Sequence, residues 1–110
     1  MQIEKKTTQA EGIKFSVFKE DKEIARASLY MIKNDLHKTP YGLLEDVFVD
    51  ETQRGHGIAT DLVNAIIEEA KKQKCYKLIC TSKNSKPKVH ELYLKLGFKD
   101  IGKEFRMDFE

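Results

Sequence analysis

Residues 49 to 59, Val-Asp-Glu-Thr-Gln-Arg-Gly-His-Gly-Ile-Ala, carry the chemistry that can be read most directly in this chain. An arginine and two glycines stand immediately before a helical pattern. The first turn of a helix has unpaired backbone N–H groups and a partial positive charge, which together attract anions. Gly55 and Gly57 lack a Cβ, so a phosphate can approach the backbone closely, and Arg54 adds charge. The physical reading is a site for a phosphorylated ligand; the competing one is an ordinary glycine-rich turn before a helix. A Walker loop would need Gly-x-x-x-x-Gly-Lys-Ser/Thr, which is absent. The dinucleotide fingerprint Gly-x-Gly-x-x-Gly fits poorly too, because Gly55-His56-Gly57 is followed at the third position by Thr60.

The loop needs a strand before it and a helix after it. Leu43, Leu44, Val47, Phe48 and Val49 supply the apolar strand. Ile58, Leu62, Ala65, Ile66 and Ala70 recur on one side of a helix expected from about Gly57 to Gln73. Further strand signals lie near Lys14–Lys19, Ile24–Lys33, Gly42–Val49 and Lys77–Thr81, with a polar turn at Glu20-Asp21-Lys22 and a loop over Asn34–Pro40. Val89, Leu92, Tyr93 and Leu96 mark a last helix. Pro87 suits its first turn, and Gly97 suits the left-handed position after its end. Strands near Phe98–Ile101 and Glu104–Phe109 are expected to close the sheet, with Phe105, Met107 and Phe109 on one side and Arg106 and Asp108 on the other. Helix–strand alternation in the second half indicates an α/β domain around a mixed sheet.

The 110 residues suit one domain, 1–110, with a core that needs no staples. Lys and Arg outnumber Asp and Glu by only 20 to 18, so no strong field favours nucleic acid or an anionic membrane. No apolar run approaches the ~20 residues that span a bilayer, and the polar N-terminus lacks a signal-peptide core. Cys75 and Cys80 lack metal-motif spacing and are expected to be reduced, which makes a cytoplasmic protein the simplest reading. Three scattered histidines and no paired cysteine ligands give no metal site.

Two stretches resemble the GNAT superfamily of N-acetyltransferases. Arg54-x-x-Gly57-x-Ala59 after a strand is similar to the family's pyrophosphate loop. Tyr93-Leu94-Lys95-Leu96-Gly97-Phe98 resembles its C-terminal Tyr-x-x-x-Gly-Phe element. The match runs from about Leu43 to the end of the chain. It implies the GNAT fold, a mixed and mostly antiparallel sheet flanked by helices. It also implies acetyl-CoA as cosubstrate, held by Phe48, Val49, Arg54, Gly55, His56, Gly57, Ile58, Ala59 and Thr60, with Asn84 or Lys86 touching the pantetheine arm. One departure stands out: about a dozen residues precede the first hairpin, room for a short strand but not for the family's usual first two helices. That shortened N-terminus leaves the acceptor side open, or completed by a second subunit, so a homodimer is an expectation to test.

Acetyl transfer to an amine needs a neutral nucleophile. A lysine-like amine with a pKa of about 10.4 is only about 0.04% neutral at pH 7, so a base helps. The resemblance gives that role to a carboxylate on the strand before the loop, Glu45 first and Asp46 second. The two alternate along the strand and should face opposite ways unless a bulge intervenes. The departing thiolate needs a proton, and a tyrosine hydroxyl with a pKa of about 10 can donate one; Tyr93 stands where the family keeps such a tyrosine. The resemblance also implies that a backbone N–H of this strand, at Phe48 or Val49, whose side chains read as core, meets the developing oxyanion. The expected reaction is direct transfer to a primary amine, a small amine slightly ahead of a peptide lysine or N-terminus. A non-catalytic coenzyme A-binding sensor or complex subunit is the alternative; it would keep Arg54–Ala59 and be indifferent to Tyr93. His56 counts here for its backbone N–H, His90 reads as packing or as lining the coenzyme side, and His37 offers nothing specific.

Overall fold

A computed structural model describes residues 1–110, which form two compact units, Met1–Ile79 and Cys80–Glu110. In the first, β1 (Glu11–Lys19), β2 (Lys22–Ile32), β3 (Tyr41–Val49) and β4 (Leu78–Ile79) make one sheet in that spatial order. The β1–β2 and β2–β3 pairs are antiparallel, and β3–β4 is parallel. Glu20 and Asp21, both at positive φ, form the two-residue turn between β1 and β2. Positive φ at both central positions gives a turn whose twist matches that of its strands. The parallel pair requires a crossover, which α1 (Ile58–Lys72) provides.

The core follows from two periodicities. Successive strand side chains alternate between faces, so Ala25, Ala27, Leu29 and Met31 of β2 all look one way, and all are buried. Leu44 of β3, opposite Leu29, joins them. From α1 come Leu62, Val63, Ile66 and Ala70. Gly42 lies where the layers press together: a Cβ there would stand 2.9 Å from the Leu78 side chain and 3.0 Å from that of Leu29. The expected helix face needs one correction, since Ala65 is exposed and Val63 is fully buried. At about 100° per residue, Val63 lies roughly 60° from the centre of the Leu62–Ile66–Ala70 stripe, and Ala65 about 100° from it.

Expected strands and observed ones agree for β1 to β3 to within three residues, but β4 is limited to Leu78–Ile79, short of the expected Lys77–Thr81. No element occurs before Glu11, so the room for a short N-terminal strand is not used by one. No strand forms over Phe98–Ile101 or Glu104–Phe109 either. Ile101, Phe105, Met107 and Phe109 are exposed there. Period-two alternation says which residues share a face but supplies no partner edge, and a strand without one has no ladder. Arg106 and Asp108 do share a side, with Arg106 Nε donating to Asp108 Oδ1 at 2.8 Å. No helix of the chain is long and apolar enough to cross a membrane.

The second unit contains α2 (Pro87–Lys95), with Pro87 in its first turn as expected. Its end obeys the glycine-terminated pattern in full. Gly97 has φ +104°, its N–H donates to the Leu94 carbonyl at 3.1 Å, and the Phe98 N–H donates to the Tyr93 carbonyl at 3.0 Å. These two bonds satisfy carbonyls that the helix itself leaves open.

Candidate active site

The centre of the site is an irregularity in β3. Ser28 pairs with Glu45 and Arg26 with Phe48, so Ala27 alone stands opposite both Asp46 and Val47. This is a β-bulge, and Asp46 adopts φ +56° within it. One extra residue inverts the alternation downstream. Phe48 therefore leaves the core, where the sequence reading had put it, and lies 37% exposed on the face of Arg26. Val49 is opposite Ala25, on the core side. The Arg26 guanidinium sits 4.6 Å above the centre of the Phe48 ring.

The bulge also gives the two carboxylates different surroundings. Asp46 is occupied: Arg26 Nε donates to its Oδ2 at 2.7 Å and Nη2 to its Oδ1 at 3.4 Å. That guanidinium holds the Asp46 carboxyl below the usual carboxylate range, which weakens it as a base. Glu45 is exposed and has no ion-pair or hydrogen-bond partner, leaving its carboxylate free. Glu23 completes the face, bonded by Lys14 at 2.8 Å and Ser16 at 3.0 Å; those contacts, Lys14 first, hold it below its ordinary value as well. Arg26 and Glu23 were not singled out from sequence. The only signal for Arg26 was a polar residue alternating with the apolar ones of β2; Glu23 falls outside that alternation.

β4 meets β3 only at Gly42 and Leu43. Within Met1–Ile79 the β4-side edge of β3 from Leu44 to Val49 thus has no strand against it, and its backbone groups are available to an extended ligand. At the end of that edge, Asp50 starts a short 3-10 turn, Glu51–Gln53, by accepting from the Thr52 N–H at 3.1 Å. This bond, followed by Lys22 at 3.2 Å, lowers the Asp50 pKa. Arg54 Nε donates to the Val49 carbonyl at 3.0 Å, which fixes the guanidinium at the mouth of the loop. His56 Nδ1 donates to the Gln53 carbonyl at 3.1 Å, so its ring is tied back onto the loop.

Gly55 (φ +86°) and Gly57 (φ +79°) both adopt the left-handed conformation, and a Cβ on either would meet nothing within 4 Å. They are glycine for backbone shape and leave open space beside the chain. Gly57 caps α1 without a side-chain bond. The first-turn N–H groups of Ile58, Ala59 and Thr60 accordingly have no cap, although the Gly57 carbonyl accepts from Asp61 at 3.0 Å. Uncapped N–H groups, two glycines in open space and a tethered arginine fit a phosphate-bearing group.

Tyr93, Asn84 and Lys86 belong to the second unit. Tyr93 is half-buried on α2, its ring edge-on to Phe98 at 5.4 Å. Burial first, and the nearby Cys80 second, push its hydroxyl up to about 12. Burial alone pushes the Cys80 thiol up to about 11. Both stay protonated at neutral pH. Asn84 and Lys86 are exposed; Lys86 caps α2 with its backbone. His90 Nε2 donates to the Lys83 carbonyl at 2.8 Å, a local tie that accounts for the ring. His37 stacks on Tyr76 at 3.9 Å.

Comparison with known proteins agrees with this geometry. The model of the "Acetyltransferase (GNAT) family" matches residues 2–98. A probable glucosamine 6-phosphate N-acetyltransferase 2 of Oryza sativa subsp. japonica is 37% identical over 70 residues, 62% of this chain and 39% of that protein. A glucosamine 6-phosphate N-acetyltransferase of Trypanosoma brucei brucei is 36% identical over 67 residues, 61% and 44% of the two chains. Among solved structures, a putative acetyltransferase from Agrobacterium tumefaciens str. C58 superposes with a TM-score of 0.80 at 29% identity, over 88% of this chain and 68% of that one. The matched segments span about two fifths of the two glucosamine 6-phosphate relatives.

Proposed function

The chain belongs to the GNAT acetyltransferase family, and on that premise we propose that it moves an acetyl group from acetyl-CoA directly to a primary amine, a small amine in preference to a peptide. The observation that carries this reading is the loop from Arg54 to Thr60. Its uncapped helix N-terminus, with glycines at φ +86° and +79° in open space, suits the pyrophosphate of a coenzyme. The unpaired edge of β3 suits the extended arm that joins pyrophosphate to thioester.

In this account Arg54 and the N–H groups of Gly55 to Thr60 bind the phosphates, while Asn84 and Lys86 contribute polar contacts to the arm. The bound cosubstrate supplies an activated acetyl group as a thioester. Glu45, free of ion pairs, accepts a proton from the incoming ammonium, directly or through water, and leaves a neutral amine. The amine nitrogen bonds to the acetyl carbon as the carbon–sulfur bond breaks. The backbone N–H of Phe48 or Val49 stabilises the negative charge gathering on the acetyl oxygen. Tyr93, protonated well above neutral pH, donates its proton to the departing sulfur and regains one from the second proton that the nitrogen sheds as it becomes an amide, while Glu45 returns the first to solvent. Ordering amine and thioester for attack supplies much of the rate.

The preference for a small acceptor rests on the two relatives named as glucosamine 6-phosphate N-acetyltransferases. A thiol-release assay over amino sugars, polyamines, amino acids and lysine peptides tests it. Turnover with an amino sugar or another small amine, lost in Glu45→Gln and Tyr93→Phe, is expected. Peptides alone as acceptors would reverse the substrate preference. Acetyl-CoA binding with no turnover on any amine would favour the coenzyme A-binding module instead.

A further inference from the structure

The bulge in β3 needs something to hold it. An L-residue at φ +56° is uncommon outside glycine and calls for a local reason. The reason lies across the strand pair. Arg26 clasps the Asp46 carboxylate with Nε at 2.7 Å and Nη2 at 3.4 Å, while the same guanidinium covers the Phe48 ring at 4.6 Å. Glu23 Oε1 stands 3.7 Å from Nη1 and steadies the fork from the other side. One side chain therefore grips β3 before and after the extra residue. Without the bulge the alternation from Leu44 would send Phe48 into the core and turn Val49 away from it.

The bulge also sets the reach between two parts of the strand. Glu45 precedes it, in register with Ser28, and the Phe48 and Val49 amides follow it, in register with Arg26 and Ala25. Sliding the extra residue out would shift those amides relative to the Glu45 carboxylate by about one residue, roughly 3.3 Å. Misplacement of that size is ruinous for a reaction that depends on alignment.

We propose that Arg26 is a positioning residue for acetyl transfer, holding the bulged register of β3 by clamping Asp46 and covering Phe48. The catalytic part of this inference rests on the function proposed above; the register part does not. Arg26 touches no reacting atom and acts through the strand it grips.

The test uses the full chain with Arg26→Met, and Arg26→Met combined with Asp46→Gly, since glycine adopts positive φ without a clamp. Cross-strand NMR contacts between Ala25 and Val49 report the register, and single-turnover acetyl transfer reports the chemistry. Arg26→Met is expected to lose the Ala25–Val49 contacts and to slow transfer at saturating acetyl-CoA at least about tenfold. The double variant is expected to recover both readouts. An Arg26→Met chain that keeps the wild-type register overturns the proposal, as does a double variant that recovers neither. If wild type itself transfers no acetyl group, the proposed function falls and the register contacts alone decide the clamp. Should Arg26→Met not fold, Arg26→Lys keeps the charge but loses the fork. A mixed register is then expected, and a fully wild-type one contradicts the clamp.

Discussion

Phe98 sends its N–H to the Tyr93 carbonyl at 3.0 Å and packs its ring edge-on against the Tyr93 ring at 5.4 Å. The residue after the glycine thus bonds and covers the residue five before itself, and the end of α2 and the orientation of Tyr93 are set by one small motif. Tyr-x-x-x-Gly-Phe is a helix stop before it is anything else.

That stop depends on Gly97 at φ +104°, where a side chain is strained although space is open. Gly97→Ala is expected to cost about 1–2 kcal/mol of stability. Urea unfolding followed by circular dichroism measures it, and a loss below the error of extrapolation would mean that the helix end tolerates another conformation.

The core makes a separate prediction. Ile66 is fully buried between α1 and the sheet, so Ile66→Ala should remove about 2–5 kcal/mol by lost burial and a residual cavity. At the exposed position Ala65, replacement by serine should change little, within about 0.5 kcal/mol. Equal effects at the two sites would refute the observed helix face.

Much of this was legible in the sequence because it is local. The loop from Arg54 to Ala59, the helix that follows and the glycine stop at Gly97 each depend on neighbours within a few residues. The bulge stood only as an alternative between Glu45 and Asp46, because a register exists only between two strands. Asp46 carries no mark of its positive φ, and Phe48 looks apolar enough for a core that the bulge turns it away from. The tail misled for the same reason. Phe105, Met107 and Phe109 alternate as a strand does, yet alternation supplies no partner edge.

Alkali should read out Tyr93. Its folded pKa, raised to about 12, lies above the ordinary tyrosine value of about 10. A raised folded pKa means a stability contribution fully present below pH ~10 and lost as pH climbs through 10 toward 12. Tyrosinate absorbance should show one tyrosine ionising at the high end, and Tyr93→Phe should delete that step. A titration unchanged by Tyr93→Phe would show that burial does not protect this hydroxyl.

The acid limb has the opposite sign. Asp46, Asp50 and Glu23 all have folded values below their ordinary ones, so their contribution is fully present above the ordinary values and disappears as pH falls through the folded ones. Unfolding midpoints should therefore drop in acid, and the Arg26→Met variant should show a shallower acid dependence. An identical dependence would mean that the Arg26–Asp46 pair is not maintained in solution.

Calorimetric titration of acetyl-CoA into the wild-type chain, beside Arg54→Ala and the Arg54→Ala, Gly57→Glu double variant, tests the central claim most directly. Saturable binding to wild type, weakened in the single variant and abolished in the double one while both remain folded, is the predicted result. Unchanged binding in the double variant, or none to wild type, would contradict the assignment of Arg54–Thr60 as the coenzyme site.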